Sequence, residues 1–295
     1  MNWTNHKFWG YVNSAFKLFE DPRTNISFEF FPPKTVTAAF ALQRAAETLA
    51  GFAPQFSSVT CSRDPIKTLD TIAAMNKSGL GPLQAHITCA AQTRDDLAAY
   101  LDAAKQAGAK GIVALRGDAT PQRLDVCDLI QTARLQSCEN IFVAAYPEVH
   151  PMAQTAQSDI DILKRKQDAG ATAAITQFFF HPGNFLRFRD QAVAHGITIP
   201  LIPGILPVQN WKATESMALA CGTTIEPDLA EGFARAAREG RAELMAIAQA
   251  TELCDKLVRA GVDQLHFYTM NRATVVAAIC TAIGKSPTQT LRQVA

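Results

Sequence analysis

The chain has 295 residues, of which 48% are hydrophobic and 19% charged, and its formal net charge is +1. This composition provides enough apolar side chains for a large core and is unlike that of a disordered protein. A near-zero charge without a basic run or stripe argues against nucleic acid as the main partner. No stretch of the sequence reaches the ~20 apolar residues that a membrane span requires.

The first 23 residues, MNWTNHKFWGYVNSAFKLFEDPR, are aromatic and amphipathic but lack the continuous apolar segment of a secretory signal. We therefore expect a cytoplasmic protein. We expect residues 1–24 to form a helical N-terminal extension and residues 25–295 to form the catalytic domain. The seven cysteines are scattered without a CxxC pair, which is typical of reduced thiols and predicts no metal site.

Short apolar runs rich in β-branched and aromatic residues alternate with segments of helical periodicity along the chain. Eight such runs are predicted strands: residues 27–31, 56–60, 84–88, 111–115, 141–145, 173–178, 201–204 and 264–268. The first lies in ISFEFFPP, where the alternation of a strand puts Phe28 and Phe30 on one face and Glu29 on the other.

The helical segments carry recognisable start and stop signals. The pattern at residues 93–107 opens with Thr93 as a predicted N-cap, followed by acidic residues. A weak repeat beginning AGA or AGV recurs at residues 107, 169 and 260, and in each copy a glycine ends a helix just before a strand. The interval from residue 205 to residue 261 is long for one unit and predicts two or more helices, broken at Glu226-Pro227.

Eight strands that alternate with helices predict a single-domain (β/α)8 TIM barrel with an extra N-terminal helix. An open doubly wound sheet is the alternative. The nucleotide signatures GxGxxG and GxxxxGK[ST] are absent from the sequence, as is HExxH. Any nucleotide would therefore be bound by the loops of the barrel.

Polar side chains recur at the predicted C-terminal ends of seven of the eight strands, where barrels carry their chemistry. They are Glu29, Thr60, His86, Arg116–Asp118, Tyr146, Gln177 and the segment His266–Arg272. Each has an ordinary structural interpretation when taken alone: Glu29 as one half of a buried ion pair, His86 as a core histidine, Arg116–Asp118 as a turn. Their joint placement at one end of the barrel predicts an active site.

Seven blocks of the sequence resemble the bacterial 5,10-methylenetetrahydrofolate reductases. In family order, between residues 27 and 272, these blocks are SFEFFPPK, VALRGD, AAYPEVHP, LKRKQDAGA, AITQFFF, IPGILPV and HFYTMNR. The resemblance implies a barrel that binds FAD and passes a hydride from NADH or NADPH, through the flavin in a ping-pong cycle, to methylenetetrahydrofolate. The product, 5-methyltetrahydrofolate, supplies methyl groups for methionine synthesis. The resemblance also implies a homo-oligomer whose partners are the folate and the nicotinamide; composition and charge, as noted above, predict no membrane and no nucleic acid partner.

The resemblance assigns roles to individual residues. Glu29 matches the general acid that protonates the departing N10, so that the methylene bridge opens to an iminium able to accept hydride. We expect its carboxyl to be shielded from water by phenylalanines. Asp118 matches an aspartate at the pyrimidine edge of the flavin, whose charge lowers the reduction potential and which also contacts the folate.

The remaining predicted contacts follow the same match. The predicted FAD contacts are Thr60, His86, Arg116, Gly117, Asp118, Tyr146, His150, Ala153, Asp159, Arg165 and Lys166. Gln177 matches a residue that contacts folate and nicotinamide in turn, and Arg272 matches a folate-binding arginine. Arginine and lysine suit the diphosphate of FAD.

The chain also departs from the family. The loop between Asp118 and Asp128, on the adenine side of FAD, is several residues shorter than in familiar bacterial members. Ile162 stands in place of an asparagine, and Met217 lies near the position of an aromatic that stacks on folate in some members. Three alternatives stay open: a flavin-dependent barrel that oxidises a small amino or imino substrate, a non-catalytic flavin-binding or folate-binding protein, and a pterin-binding barrel without flavin.

Overall fold

The computed structural model describes residues 24–62, 64–118, 122–153 and 155–288. Within these ranges the strands are β1 (Asn25–Phe30), β2 (Phe56–Val59), β3 (Leu83–Thr88), β4 (Gly111–Leu115), β5 (Asn140–Ala145), β6 (Ala173–Phe178), β7 (Leu201–Ile205) and β8 (Gln264–Tyr268). The helices are α1 (Val36–Ala50), α2 (Pro65–Met75), α3 (Arg94–Ala107), α4 (Val126–Leu135), α5 (Ala156–Ala169), α6 (Pro182–Ala194), α7 (Trp211–Cys221), α8 (Pro227–Arg238), α9 (Ala242–Arg259) and α10 (Ala273–Ala282). The helix predicted before residue 24 lies outside the described residues.

The eight strands are parallel, each pairs with the next, and β8 pairs with β1, so the sheet closes into a barrel. This closure confirms the predicted (β/α)8 barrel and excludes the open sheet, in which β1 and β8 would not pair with each other. The predicted strands agree with the observed ones to within two residues at each end. Residues whose side chains point into the barrel therefore alternate with residues that face the helices.

Because side chains along each strand alternate between the inside and the outside of the barrel, the protein has two separate hydrophobic clusters. Phe28 and Phe30, both fully buried, belong to the large cluster between strands and helices. A second cluster fills the barrel interior: Phe56, Val113, Phe142, Ala173, Ile175 and Ile202. The ring centroids of Phe56 on β2 and Phe142 on β5 lie 4.4 Å apart, although these strands are not neighbours. The barrel is therefore packed through its centre, and the space for a ligand lies above this cluster.

The predicted helix signals are found where the sequence placed them. The Thr93 hydroxyl accepts a hydrogen bond from the Asp96 amide, and the Asp96 carboxylate accepts one from the Thr93 amide. Gly108 and Gly170 end α3 and α5 with φ of 104° and 115°, in the left-handed region that glycine tolerates. These ends keep the connections into β4 and β6 short.

The long connection between β7 and β8 holds the three helices α7–α9, which confirms the prediction of more than one helix there. Pro227 lies in the first turn of α8, as the Glu226-Pro227 break predicted. Trp211 of α7 stacks on the buried ring of Phe233 of α8, with centroids 4.9 Å apart and an interplanar angle of 6°. This stack packs α7 against α8, and Met217 of α7 lines the large cavity.

Hydrogen bonds beyond the ladder fasten β8 to β1 at the C-terminal end of the barrel. The Thr269 amide and hydroxyl both donate to the Glu29 carbonyl oxygen, at 3.2 and 2.6 Å. The Asn271 side chain accepts from the Phe31 amide at 3.0 Å and donates to the Phe31 carbonyl at 2.8 Å. We call these four bonds the closure contacts. They join residues 240 positions apart in the sequence.

None of the helices in the described ranges is long and apolar enough to cross a membrane. Among the same residues, no three His, Cys, Asp or Glu side chains are grouped as a metal site would require. All seven cysteines are free thiols.

Candidate active site

A cavity of about 800 Å³ opens at the C-terminal ends of the barrel strands. Its lining includes all but one of the residues that the sequence singled out: Glu29, Thr60, His86, Arg116, Gly117, Asp118, Tyr146, His150, Ala153, Asp159, Arg165, Lys166 and Gln177. Arg272 is the exception, because its exposed side chain starts from the N-cap of α10 and does not line the cavity. Its folate contact stays a prediction.

Glu29 sits on the inner face of β1 at the floor of the cavity, with 19% of its side chain exposed. Its Oε2 lies 3.3 Å from Nε2 of His86 and 3.8 Å from Nε2 of His266. The expected shielding by phenylalanines is wrong, because the alternation sends Phe28 and Phe30 to the outer face of the barrel. Two imidazoles surround the carboxyl instead.

Serine hydroxyls hold both imidazoles. His86 Nε2 lies 3.2 Å from Oγ of Ser58, and burial lowers the pKa of His86 although the Glu29 charge opposes that shift. His266 is fully buried, and its Nδ1 lies 2.8 Å from Oγ of Ser27. Because burial lowers its pKa, His86 is neutral at physiological pH.

Tyr268 closes the same side of the cavity. Its hydroxyl donates to the Thr176 carbonyl at 2.6 Å, and burial raises its pKa well above the usual value, so the phenol stays neutral. Gly204 of β7 makes room for this ring, since a Cβ there would come within 2.6 Å of the tyrosine and 2.2 Å of the Thr176 carbonyl oxygen. Sequence reasoning covered this segment but named neither His266 nor Tyr268 individually; the alternation along β8 is the signal that places both inside the barrel.

One side of the cavity is cationic. Lys166 of α5 is buried, its Nζ donates to the Ala144 carbonyl at 2.7 Å, and burial lowers its pKa to about 8. The neighbouring Arg165 is more exposed and pairs with Asp125 at 2.6 Å. Arg116 contributes a third cation from the end of β4. These charges could hold a diphosphate. The Asp125 pairing was not foreseen, because it joins α5 to the N-cap of α4, which is distant in the sequence.

The loop after β5 is fixed by contacts among its own predicted site residues. The Asp159 carboxylate accepts a hydrogen bond from the His150 amide at 2.8 Å, and Tyr146 meets the His150 ring edge-on at 4.4 Å. Burial raises the pKa of Asp159 and lowers that of His150. The loop is therefore held in one shape beside the cationic side.

The turn after β4 brings Asp118 to the cavity. Gly117 has φ of 81°, and a Cβ there would lie 2.8 Å from Cβ of Thr88, so only glycine fits without strain. Asp118 is exposed at the rim. On β6, Oε1 of Gln177 accepts a hydrogen bond from the Phe178 amide at 3.0 Å, which fixes the orientation of the Gln177 side-chain amide.

A parallel (β/α)8 barrel with a carboxyl, imidazoles and cations around one cavity at its C-terminal face has the architecture of a barrel enzyme. Sequence comparison gives the particular family. The methylenetetrahydrofolate reductase family model matches residues 16–284. The chain is 38% identical over 271 residues to the 5,10-methylenetetrahydrofolate reductase of Salmonella typhimurium, which covers 89% of this chain and 92% of that protein. It is 39% identical over 272 residues to the Escherichia coli enzyme, with the same coverage. The chain therefore belongs to the methylenetetrahydrofolate reductase family.

Structural comparison shows the same fold in more distant proteins. An uncharacterized protein from Clostridium thermocellum, which binds two copies of 5-methyl-5,6,7,8-tetrahydrofolic acid, matches with a TM-score of 0.62 at 14% identity and covers 91% of this chain and 97% of its own. Oxaloacetate acetylhydrolase matches with a TM-score of 0.51 at 14% identity, over 90% of this chain and 82% of its own. At this identity the likeness concerns the barrel fold alone.

Proposed function

We propose that this family member binds FAD and uses it to reduce 5,10-methylenetetrahydrofolate to 5-methyltetrahydrofolate, with NADH or NADPH as the hydride donor. Nicotinamide and folate occupy the cavity in turn, in a ping-pong cycle, and the product supplies methyl groups for methionine synthesis. The observation that carries the proposal is the single cavity that has Glu29 at its floor and the cations Arg116, Arg165 and Lys166 along one side.

The cavity fits FAD in size and in charge. Its volume of about 800 Å³ lies within the range of ~300–1,000 Å³ that is usual for small-molecule sites. The buried Lys166 ammonium has a pKa of about 8 because burial opposes its charge, and a diphosphate would relieve that penalty. A flavin, when bound, would supply two-electron hydride transfer between the two substrates. Arg165 would contact the same diphosphate after exchanging its pairing with Asp125.

Glu29 supplies the proton that opening of the methylene bridge requires. When the bond between N10 and the methylene carbon breaks, N10 takes the proton and the bond electrons, and an iminium is left at N5. Hydride then adds to the methylene carbon and gives the methyl group. Glu29 reaches the cavity with 19% of its side chain exposed, so its carboxyl can contact a bound pterin. General-acid catalysis of this kind contributes about 10²–10⁴ in rate.

Asp118 and Gln177 position the reactants around Glu29. Asp118, at the rim, is placed to accept hydrogen bonds from a pterin and to set the charge beside the flavin. Gln177, held by the Phe178 amide, directs its amide group toward whichever substrate occupies the cavity. Arg272 lies outside the lining, so its folate contact would involve the glutamate tail that extends from the cavity.

The test is a visible absorption spectrum of the purified protein, with added FAD, before and after anaerobic NADH. Flavin bands that bleach with NADH and return with methylenetetrahydrofolate would support cofactor, donor and acceptor together. A protein that gains no flavin bands would overturn the FAD proposal and favour a pterin-binding barrel. Bands that bleach but never return with the folate would favour a flavin enzyme for another substrate. Repeating the bleaching with NADPH decides the donor.

A further inference from the structure

His266 leaves one polar atom without a hydrogen bond. Its side chain is fully buried, yet Nε2 has no hydrogen-bond partner among the described residues. Buried polar atoms are normally paired, so an unpaired one requires an explanation. The atom faces Glu29 Oε2 at a distance of 3.8 Å, slightly beyond hydrogen-bond range.

The Ser27 hydroxyl connects the His266 ring to the backbone. Its Oγ lies 3.3 Å from the Leu265 carbonyl oxygen and 2.8 Å from His266 Nδ1. A hydroxyl that donates its one hydrogen to the carbonyl is an acceptor toward Nδ1, and this arrangement places a ring proton on Nδ1 and a lone pair on Nε2. Glu29 can satisfy this lone pair only when its carboxyl carries a proton.

The groups around this pair carry no charge of their own. On β3, His86 lies 3.3 Å from the same Oε2, and burial lowers its pKa, which keeps it neutral. On β8, Tyr268 meets the His266 ring edge-on at 5.4 Å and stays neutral because burial raises its pKa well above the usual value. On β2, Phe56 stacks on His266 at 5.6 Å, and on β7 the inner position is Gly204. A bare carboxylate at this floor would face these uncharged groups.

Resting on the proposed function, we infer that His266 is protonated at Nδ1, that Oε2 of Glu29 and Nε2 of His266 hold one further proton when the two atoms approach to hydrogen-bond distance, and that this is the proton delivered to N10. With the proton on either atom the pair has no net charge, which avoids burying a lone carboxylate. During the reaction the proton passes to N10 and the pair is left with one negative charge. A proton returns from solvent through Glu29 after product release, because Glu29 reaches the cavity and His266 does not. His266 is thus a positioning residue that acts through Glu29.

The His266→Phe variant tests this inference. Phenylalanine keeps the ring stack on Phe56 and removes both nitrogens, while Ser27 keeps its bond to the Leu265 carbonyl. We expect flavin bleaching by NADH at the unchanged rate, and a fall in kcat for folate reduction of about tenfold to a hundredfold with little change in the folate KM. In a Glu29→Gln background the same substitution should cause no further loss, because the two residues act as one unit.

Gln84→Leu is the matched control. Gln84 is a buried polar residue inside the barrel on β3, but it does not line the cavity. If loosening the barrel interior were enough to slow folate reduction, this variant would slow it as well. We expect both half-reactions to stay at the wild-type rate in Gln84→Leu.

A measurement on the unmodified side chains keeps the inference testable if His266→Phe does not fold. Nitrogen-15 NMR of histidine-labelled protein reports which ring nitrogen is protonated. We expect a proton on Nδ1 and a lone pair on Nε2, and a change of this pattern in Ser27→Ala. An Nδ1 without a proton in the wild type, or wild-type folate turnover in His266→Phe, would overturn the inference that Glu29 and His266 share a proton. A wild type that binds flavin but reduces no folate would instead overturn the proposed function, and the NMR pattern would still decide the pairing.

Discussion

At the scale of single residues, Glu29 is distinguished by its position between two imidazole nitrogens, at 3.3 and 3.8 Å. The Glu29→Gln side chain has the same shape but cannot deliver a proton. We expect this variant to bind FAD and to be bleached by NADH, while reoxidation by methylenetetrahydrofolate slows by about 10²–10⁴. Stopped-flow absorbance separates the two half-reactions.

The control for this substitution is Glu148→Gln. Glu148 follows β5 and accepts a hydrogen bond from the Thr224 amide at 3.0 Å, but it does not line the large cavity. A glutamine retains an oxygen for that bond, so both half-reactions should stay at the wild-type rate. Near-normal folate reduction by Glu29→Gln would refute the general-acid role.

Lys166 connects the proposed cofactor site to protein stability. Burial lowers its pKa from 10.5 to about 8. Below about pH 8 the lysine is protonated in the folded and unfolded states, and the full penalty for burying the charge is present. Between about 8 and 10.5 the folded protein releases this proton while the unfolded chain keeps it, so the free energy of unfolding rises with pH. The rise attributable to Lys166 is on the order of 3 kcal/mol.

In Lys166→Met this rise should disappear, and the cofactor-free variant should be more stable than the wild type at pH 7. FAD affinity should fall at the same time, because the ammonium is lost. Lys164→Met is the control, since Lys164 lies on the same helix and pairs with Asp168 at the surface. Urea unfolding at pH 7 and pH 9.5 measures the difference. A wild type and Lys166→Met with parallel pH dependence would contradict the assignment.

At the scale of elements, α7–α9 depart from the barrel pattern, because three helices lie between β7 and β8 where other consecutive strands are joined by one. The stack of Trp211 on Phe233 connects α7 to α8. Phe233 is 1% exposed, so Phe233→Ala removes a buried ring and leaves a cavity. We expect the free energy of unfolding to fall by about 3–5 kcal/mol. Because α7 carries Met217 into the large cavity, folate affinity should weaken as well.

Phe40→Ala provides the comparison for this element. Phe40 also lies on a helix, α1, but its side chain is 65% exposed. Its removal should change the free energy of unfolding by less than about 0.5 kcal/mol. Urea unfolding of both variants measures the contrast, and equal losses would show that the stack on Trp211 does not stabilise α7 and α8.

The elements were largely predictable because their signals are local. Strand alternation, the cap at Thr93 and the glycines at positions 108 and 170 depend on residues next to one another, and all are found as predicted. The strand-end rule predicted part of the cavity lining, such as Glu29, His86 and Gln177, and the family resemblance added the residues of α5 and of the loop before it. The pairing of Arg165 with Asp125 was not predictable, because it joins α5 to the N-cap of α4, 40 positions away in the sequence. For Arg272, resemblance fixed the residue type but not the direction of its side chain.

At the scale of the whole molecule, the closure contacts complete the barrel beside Glu29. Asn271 takes part through both atoms of its amide, with φ of 54°, a conformation that asparagine and aspartate tolerate. Asn271→Asp keeps the acceptor, loses the donor and places a negative charge near the Phe31 carbonyl. We expect a loss of about 1–3 kcal/mol in the free energy of unfolding.

Asn184→Asp is the matched control for this change. Asn184 accepts a hydrogen bond from Arg187 at 2.5 Å on the surface of α6, and an aspartate there keeps that bond. Its stability should equal or slightly exceed that of the wild type. Thermal unfolding compares the two variants, and an Asn271→Asp protein as stable as Asn184→Asp would show that the closure contacts add nothing to stability.

The sequence alone could not predict that His266 lies beside Ser27 and Glu29. Ser27 and His266 are 239 positions apart, and only closure of the barrel makes them neighbours. No local pattern reports such a contact. The alternation shows that each side chain points inward, but it does not show which inward side chains meet.

The same closure has a consequence for biosynthesis. Synthesis on the ribosome runs from the N-terminus, so Glu29 emerges early, before either neighbour of its strand, β2 or β8. His266 and the closure contacts are supplied by residues 265–271, which emerge more than 200 residues later. A chain whose translation stops before β8 therefore has neither the second imidazole nor a closed barrel. Such partial products carry an unpaired edge on β1 and lack Tyr268 and Met270 of the cavity lining. Chains that cannot complete their fold are substrates for proteolysis.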